Sequence, residues 1–410
     1  VGFLHERLDN GLDVIAEQSP AALSTSIGFF VKTGSRDESD LLWGASHFLE
    51  HMIFKGTDTL SSDDINRRFD AMGASANAFT GEEDTCYYAT VLPEQQDDAV
   101  GLLAQMMRPA LREEDFQTEK LVILEEIRMY DDQPPFGADD RCRARFFRGH
   151  PLARSVLGTV ESIQALPVEA MRDYCRLRYC PGNMVLAASG AVDFGGLVRA
   201  ARSWCGDWQP FDLPARTVPF LPEPGTDAPE PERIARPAAS LAYAVRMSGG
   251  PAGDDPDRFA AKLLAIILGD DSGSRLYWAL VDSGEAEQAS LHHHDFLDAG
   301  IFTLQLSCDP EDVAGILDRL PALLDAHGPK RITSAELEQA RNKLAGRIVL
   351  SGERPRRRLF SVGLEWTHNG SHRSVADDLA IVERLSLDDL ERVLHRWPLA
   401  SAGCTVLAGP

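Results

Sequence analysis

From Gly44 to Thr57 the chain reads Gly-Ala-Ser-His-Phe-Leu-Glu-His-Met-Ile-Phe-Lys-Gly-Thr, and three residues in this run, His47, Glu50 and His51, restrict the fold more than any other feature. The apolar positions Leu42, Trp43, Phe48, Leu49, Met52, Ile53 and Phe54 predict a helix over 42–54. At about 100° per residue, with His47 at the origin, His51 falls at about 40° and Glu50 at about 300°, so all three share one arc of roughly 100°. Two imidazoles one turn apart can hold one zinc ion, and the carboxylate beside them can take a proton from a metal-bound water. The pattern is H-x-x-E-H, the reverse of H-E-x-x-H and equivalent to it on a helix face. The competing reading is an amphipathic helix whose polar stripe happens to carry these side chains.

A chain of 410 residues is expected to hold two or three domains, and an apolar fraction of 44% suffices for sizeable cores. The net charge of -22 argues against a nucleic-acid partner and against an anionic membrane surface. No apolar run reaches the ~18–20 residues needed to cross a bilayer. Seven scattered cysteines, an odd number, show neither a disulfide framework nor a C-x-x-C zinc site, so a reducing compartment, most simply the cytoplasm, is expected. The chain opens Val1-Gly2-Phe3 without a basic and then apolar leader. Because it lacks an initiator Met, a trimmed export signal and a periplasmic location stay open.

In chain order, Asn10-Gly11 predicts a hairpin turn, and Leu23 to Lys32 a strand ahead of the histidine helix. Ser61 opens a helix that Met72-Gly73 ends, and Ala74–Thr80 and Thr85–Leu92 read as paired strands. Glu94–Met107, Arg112 to Tyr130 and Asp139–Phe147 follow as helices, then Val168–Leu177, the strand Met184–Ser189 and the helix Phe194–Cys205. Eight prolines then fall between residues 207 and 237, the best linker candidate. Beyond it the plan recurs: strand Ser240–Met247, helix Asp257–Leu268, strands Glu287–Phe296 and Gly300–Ser307, further helices to Arg396, and a last strand, Ala402–Leu407. The expected fold is α+β: two similar α/β-sandwich domains, each a mainly antiparallel sheet with helices on one face, related by duplication. The expected divisions are residues 1–207, a linker over 208–237, and 238–410, with a metal motif in the first domain alone.

Catalytic zinc usually has three protein ligands. The segment Glu119-Lys120-Leu121-Val122-Ile123-Leu124-Glu125-Glu126-Ile127-Arg128 is helical and apolar, yet it carries Glu119 and Glu126 seven residues apart, nearly on one face. Two acids on a buried stripe are costly unless paired or bound to metal, whereas on a solvated face they need no such role. The residues alone leave these readings level.

Here the chain resembles the pitrilysin or insulinase-like metallopeptidases, which include the mitochondrial processing peptidases. The resemblance spans nearly the whole chain. It rests on the Gly44–Thr57 segment, on Gly34-Ser35-Arg36-Asp37-Glu38, Asn77-Ala78-Phe79-Thr80, His150-Pro151-Leu152 and Leu157-Gly158-Thr159, and on Tyr179-Cys180-Pro181-Gly182-Asn183-Met184. It implies that His47, His51 and Glu126 hold one Zn2+ per chain, choosing Glu126 over Glu125. It implies Glu119 as a brace for a ligand histidine, and Glu50 as the base acting on a zinc-bound water in peptide hydrolysis. Asn77, Ala78 and Phe79 resemble the substrate-binding edge strand, with Phe79 open to being core, and Arg275 in Ser272-Gly273-Ser274-Arg275-Leu276-Tyr277 resembles a substrate-contacting arginine from the second half. Glu287 stands where a tyrosine is expected. Members of this length resemble one half of a clam-like chamber, which implies a homodimer or a heterodimer with a related subunit. The alternative is a non-catalytic or weakly active peptide-binding subunit. His292-His293-His294 is read as sheet surface, because strand neighbours point to opposite faces.

Overall fold

The structure is a computed structural model that describes residues 2–213, 216, 230–326, 331–400 and 403–410. Strands β1 (Gly2–Arg7), β2 (Asp13–Gln18), β3 (Thr25–Val31), β4 (Ser75–Thr80), β5 (Thr85–Val91) and β6 (Met184–Gly190) form one sheet in the order β1-β2-β6-β3-β5-β4. Strands β7 (Glu232–Ala235), β8 (Ala242–Gly250), β9 (Gln288–Asp295), β10 (Gly300–Cys308) and β11 (Cys404–Gly409) form a second in the order β7-β11-β8-β10-β9. Removing β1 makes the two orders superimposable. Among the described residues, the single parallel pair of each sheet, β2 with β6 and β7 with β11, then falls in the same place, and the remaining pairs are antiparallel. The duplicated α+β architecture expected from the sequence is therefore present.

The period of two along each strand assigns side chains to faces. In the first sheet Val14, Ile27, Phe29, Tyr87, Ala89 and Leu186 pack with Phe48, Leu49, Met52, Leu103 and Phe116 of the helices. Their neighbours Ile15, Phe30, Cys86, Tyr88, Val185 and Ala187 point the other way, onto Leu359 and Val362. Helices were expected on one face; the second face is also covered, by the helix Pro355–Asn369. Its Gly363 permits the approach, since a Cβ there would stand 2.3 Å from the Phe30 ring. In the second sheet the helix Ala138–Phe146 plays this part, with Ala138, Cys142 and Phe147 against Val245, Met247, Ile301 and Val406.

These two helices correct the expected domain limits. One compact unit comprises Val1–Ile127, Arg154–Arg216 and Val349–Val375; the other comprises Arg128–Ala153, Thr217–Ile348 and Ala376–Pro410. Each half of the sequence thus lends a helix to the unit built around the other half's sheet. An amphipathic helix must bury its apolar stripe, but the stripe does not specify which sheet receives it. Of the expected linker 208–237, residues 214, 215 and 217–229 lie outside the described residues. Its ends are structured: Trp208 is buried, and Glu232–Ala235 is an edge strand beside β11. The helices Val160–Ala165 and Val375–Arg384 were not expected. All seven cysteines are buried free thiols, and among the described residues no helix is long and apolar enough to cross a membrane.

Candidate metal centre

The histidine helix runs from Ala45 to Ile53, starting three residues later than the sequence pattern suggests. Gly44 precedes it at φ 90°, and a Cβ there would meet the Leu157 carbonyl at 2.8 Å, so only glycine fits the turn. The buried Glu38 carboxylate receives the N–H groups of Gly44 and Ser46, each at 2.7 Å, which satisfies donors that a helix N-terminus leaves open. Burial pushes the Glu38 carboxyl up to about 8, against the opposing pull of those two amides.

The helix Glu113–Asp132 presents its acids to these histidines. Glu126 Oε2 lies 3.7 Å from His47 Nε2 and 3.6 Å from His51 Nε2. One ligand atom from each of His47, His51 and Glu126 lies within 4.8 Å of the others. Tetrahedral zinc with ligand bonds of about 2.0–2.1 Å holds its donors about 3.3 Å apart, and the two Glu126–imidazole distances of 3.7 and 3.6 Å are close to that spacing. Glu125 is exposed.

Glu119 is buried and accepts from His51 Nδ1 at 2.8 Å, while its other oxygen meets Lys55 Nζ at 2.5 Å. With the proton on Nδ1, the lone pair of His51 Nε2 faces Glu126. Burial alone would raise Glu119, but His51 and Lys55 outweigh it and hold the carboxyl below its usual range. His51 moves the other way: burial disfavours its cation, yet the Glu119 hydrogen bond and the charges of Glu126, Glu119 and Glu50 raise it. His47 is driven down to about 4 by burial and then by His51, which keeps its ring neutral and able to donate a lone pair. Burial raises Glu126 as well. Glu119→Gln is therefore expected to lower zinc affinity about 10–100-fold, read by competition with a chromogenic chelator.

Glu50 stands on the same helix face, and its Oε2 accepts from Thr80 Oγ1 at 2.6 Å. Burial raises its pKa, with Thr80 and His51 opposing. The sequence pattern does not single out Thr80 or Lys55. Lys55 lies four residues after His51, a spacing that puts it on the same side; Thr80 shares the alternate face of β4 with Ala76 and Ala78. Nothing local marks Glu38 as a cap.

The other expected residues are distributed as follows. Among the described residues, strand β4 pairs only with β5 and is an edge of its sheet. Asn77 is exposed, and its Oδ1 accepts from the Ala78 N–H at 2.9 Å, a polar cover on the edge. The Phe79 ring faces away from the histidine helix and meets Phe360 edge-on at 5.5 Å, so its side chain belongs to the second-face core. Arg275 is in the second unit, where Nε and Nη2 bind Glu336 at 2.7 and 3.0 Å. Glu287 is exposed beside β9. His293 is buried and its Nε2 contacts the Pro251 carbonyl at 2.9 Å, while His292 and His294 are exposed with ring centroids 6.4 Å apart. A cavity of about 820 Å³ walled by Trp204, Trp208 and Arg172 contains none of the metal-centre residues.

Residues 13–160 match the family model described as insulinase (peptidase family M16), and residues 165–344 match the one described as peptidase M16 inactive domain. A protein from Mycobacterium tuberculosis named an uncharacterized zinc protease is 33% identical over 98% of this chain and 92% of its own length. A protein from Arabidopsis thaliana named a probable mitochondrial-processing peptidase subunit beta is 27% identical over 95% of this chain and 75% of its own. The crystal structure of a protease from Helicobacter pylori superposes with a TM-score of 0.89 at 23% identity, over 100% of both chains, and so shares the fold. With the zinc-motif helix, the duplicated sheets and these relatives together, the chain belongs to peptidase family M16, the insulinase family.

Proposed function

We propose that this chain is a zinc-dependent endopeptidase that hydrolyses peptides or unfolded segments, as one half of a chamber closed by a second copy or a related subunit. The observation that carries the reading is the convergence of His47 Nε2, His51 Nε2 and Glu126 Oε2 beside the Glu50 carboxylate. Those three side chains would hold one Zn2+, which would supply Lewis-acid polarisation of the scissile carbonyl and a more acidic water. Glu50, kept in place by Thr80, takes the water proton at its other oxygen and later passes it to the leaving amine. Its burial-raised pKa suits a base that must also give the proton back. Glu119 fixes the tautomer and orientation of His51. A peptide adds to β4 as a further strand through main-chain bonds, displacing the Asn77 side chain from the Ala78 N–H. Phe79 contributes here by its backbone.

The acidic balance of the chain favours basic peptides. Incubation with a quenched peptide mixture tests the reading, for the chain alone and co-expressed with a related subunit. Cleavage is expected, with one zinc per chain by metal analysis, loss on adding a chelator and recovery on adding zinc. No cleavage under any pairing overturns it. The Glu287 departure favours a second reading, a peptide-binding subunit; stoichiometric zinc with peptide binding and no cleavage would select that one.

A further inference from the structure

A buried ionic cluster of the first unit joins residues 32–38 ahead of the histidine helix, the 81–84 turn between β4 and β5, Arg178, His368, whose Nε2 lies 2.6 Å from Asp84 Oδ2, and Arg216, the last described residue before 230. Arg216 donates through Nε to Asp37 Oδ1 at 2.7 Å and through Nη2 to both Asp37 Oδ2 and the Glu83 carbonyl. Asp37 also accepts the Gly34 N–H at 3.0 Å and has Arg178 Nη1 at 3.6 Å. Arg36 pairs with the Glu83 carboxylate. The side chains of Arg36 and Asp37 are almost wholly buried, at 1% and 2% exposed, and that of Arg216 nearly so, at 11%.

Arg178 already answers the charge of Asp37, and Arg36 that of Glu83. The Arg36–Glu83 pair already joins the two loops; Arg216 adds a second bridge beside it, its planar fork spanning the Asp37 carboxylate and the Glu83 backbone. Each end of that bridge leads to the metal centre. Asp37 is followed by Glu38, which caps Gly44 and Ser46 directly ahead of His47. Glu83 lies in the turn that continues from Thr80, whose hydroxyl holds Glu50. The two loops also touch through Ser35 N to the Gly81 carbonyl at 3.3 Å and Arg36 N to the Glu82 carbonyl at 2.9 Å.

We propose that Arg216 is a positioning residue: it clamps the Glu38 loop to the Thr80 turn, so that the histidine helix and the oxygen of Thr80 that holds Glu50 keep one register. This rests on the peptidase reading above. The test compares the full chain with Arg216→Met, Arg216→Lys, Thr80→Val and the Arg216→Met/Thr80→Val double variant. Arg216→Met is expected to lower kcat about tenfold while KM changes less than about twofold, the mark of a displaced catalytic group rather than lost binding. Arg216→Lys, which keeps the charge but not the fork, is expected to recover only part of the loss. Because Arg216 acts through the turn bearing Thr80, the double variant should be hardly worse than the poorer single one. An unchanged kcat in Arg216→Met, or losses that multiply in the double variant, overturns the proposal. If Arg216→Met does not fold, Arg216→Lys decides on the same two criteria, its pair being Thr80→Val. If the parent chain cleaves nothing, the peptidase reading falls by itself. Hydrogen exchange of the metal-free protein then decides the clamp: exchange over residues 40–50 at least severalfold faster in Arg216→Lys supports it, and equal exchange overturns it.

Discussion

Glu50→Gln is expected to cut peptide cleavage by roughly 10²–10⁴-fold while leaving zinc in place. Glutamine keeps an oxygen for the Thr80 hydroxyl and nearly the same volume, so the side chain stays where it is. It has no carboxylate to receive a proton, and general-base groups contribute roughly 10²–10⁴-fold to rate. Turnover on a quenched peptide should fall by about that factor, with KM close to the parent value. Metal content should stay at one equivalent, because the converging donors are His47, His51 and Glu126. Parallel loss of zinc and activity would make Glu50 a ligand and refute its assignment as base. Full activity would refute the mechanism.

The second large effect concerns stability. Glu17 on β2 and Arg358 on the helix Pro355–Asn369 form a buried two-point pair, Nε to Oε1 at 2.5 Å and Nη2 to Oε2 at 2.6 Å, with His372 Nε2 2.6 Å from Oε2. Removing one member leaves an unanswered charge in a site only 5% exposed on either side, which costs about 3–5 kcal/mol. Glu17→Gln should therefore loosen that helix from the sheet, seen as faster hydrogen exchange over residues 355–369 and an earlier denaturant transition. A local probe is needed because a chain of two units need not unfold as one. Replacing both partners by Met should restore most of the loss, since well-packed apolar pairs often equal a buried ion pair. The pH dependence has a definite sign. Burial raises the Glu17 carboxyl, but Arg358 and His372 prevail and bring it below its ordinary 4.5. Its contribution is complete above pH 4.5 and disappears as the pH falls through the lowered folded value, so the parent should lose stability to acid more steeply than Glu17→Gln.

Local chemistry was the legible part of the sequence. The 3.6-residue repeat brought His47, Glu50 and His51 to one face without knowledge of the rest of the fold, the helix Phe194–Cys205 has the expected limits, and the last helix ends at Arg396 as expected. The start of the histidine helix was misplaced because Leu42 and Trp43 continue its apolar pattern, whereas Gly44 turns left-handed and breaks it. Strand β7 was missed because a short, half-buried edge strand next to prolines carries almost no hydrophobic signal.

The sequence by itself determined which side chains lie one helical turn apart, and the strand pattern that made two similar sheets recognisable. Those properties depend on the backbone repeat alone. That Glu126 faces the two imidazoles while Glu125 is exposed, and that Glu119 braces His51, was implied by the family resemblance but left open by the residue pattern; the tertiary structure supplies that geometry, and it alone decided that Thr80 holds Glu50. It also decided which sheet the helices Ala138–Phe146 and Pro355–Asn369 cover. The reason is physical: an apolar stripe or a buried acid encodes a need for a partner, and the partner's identity is set by packing between segments far apart in the chain.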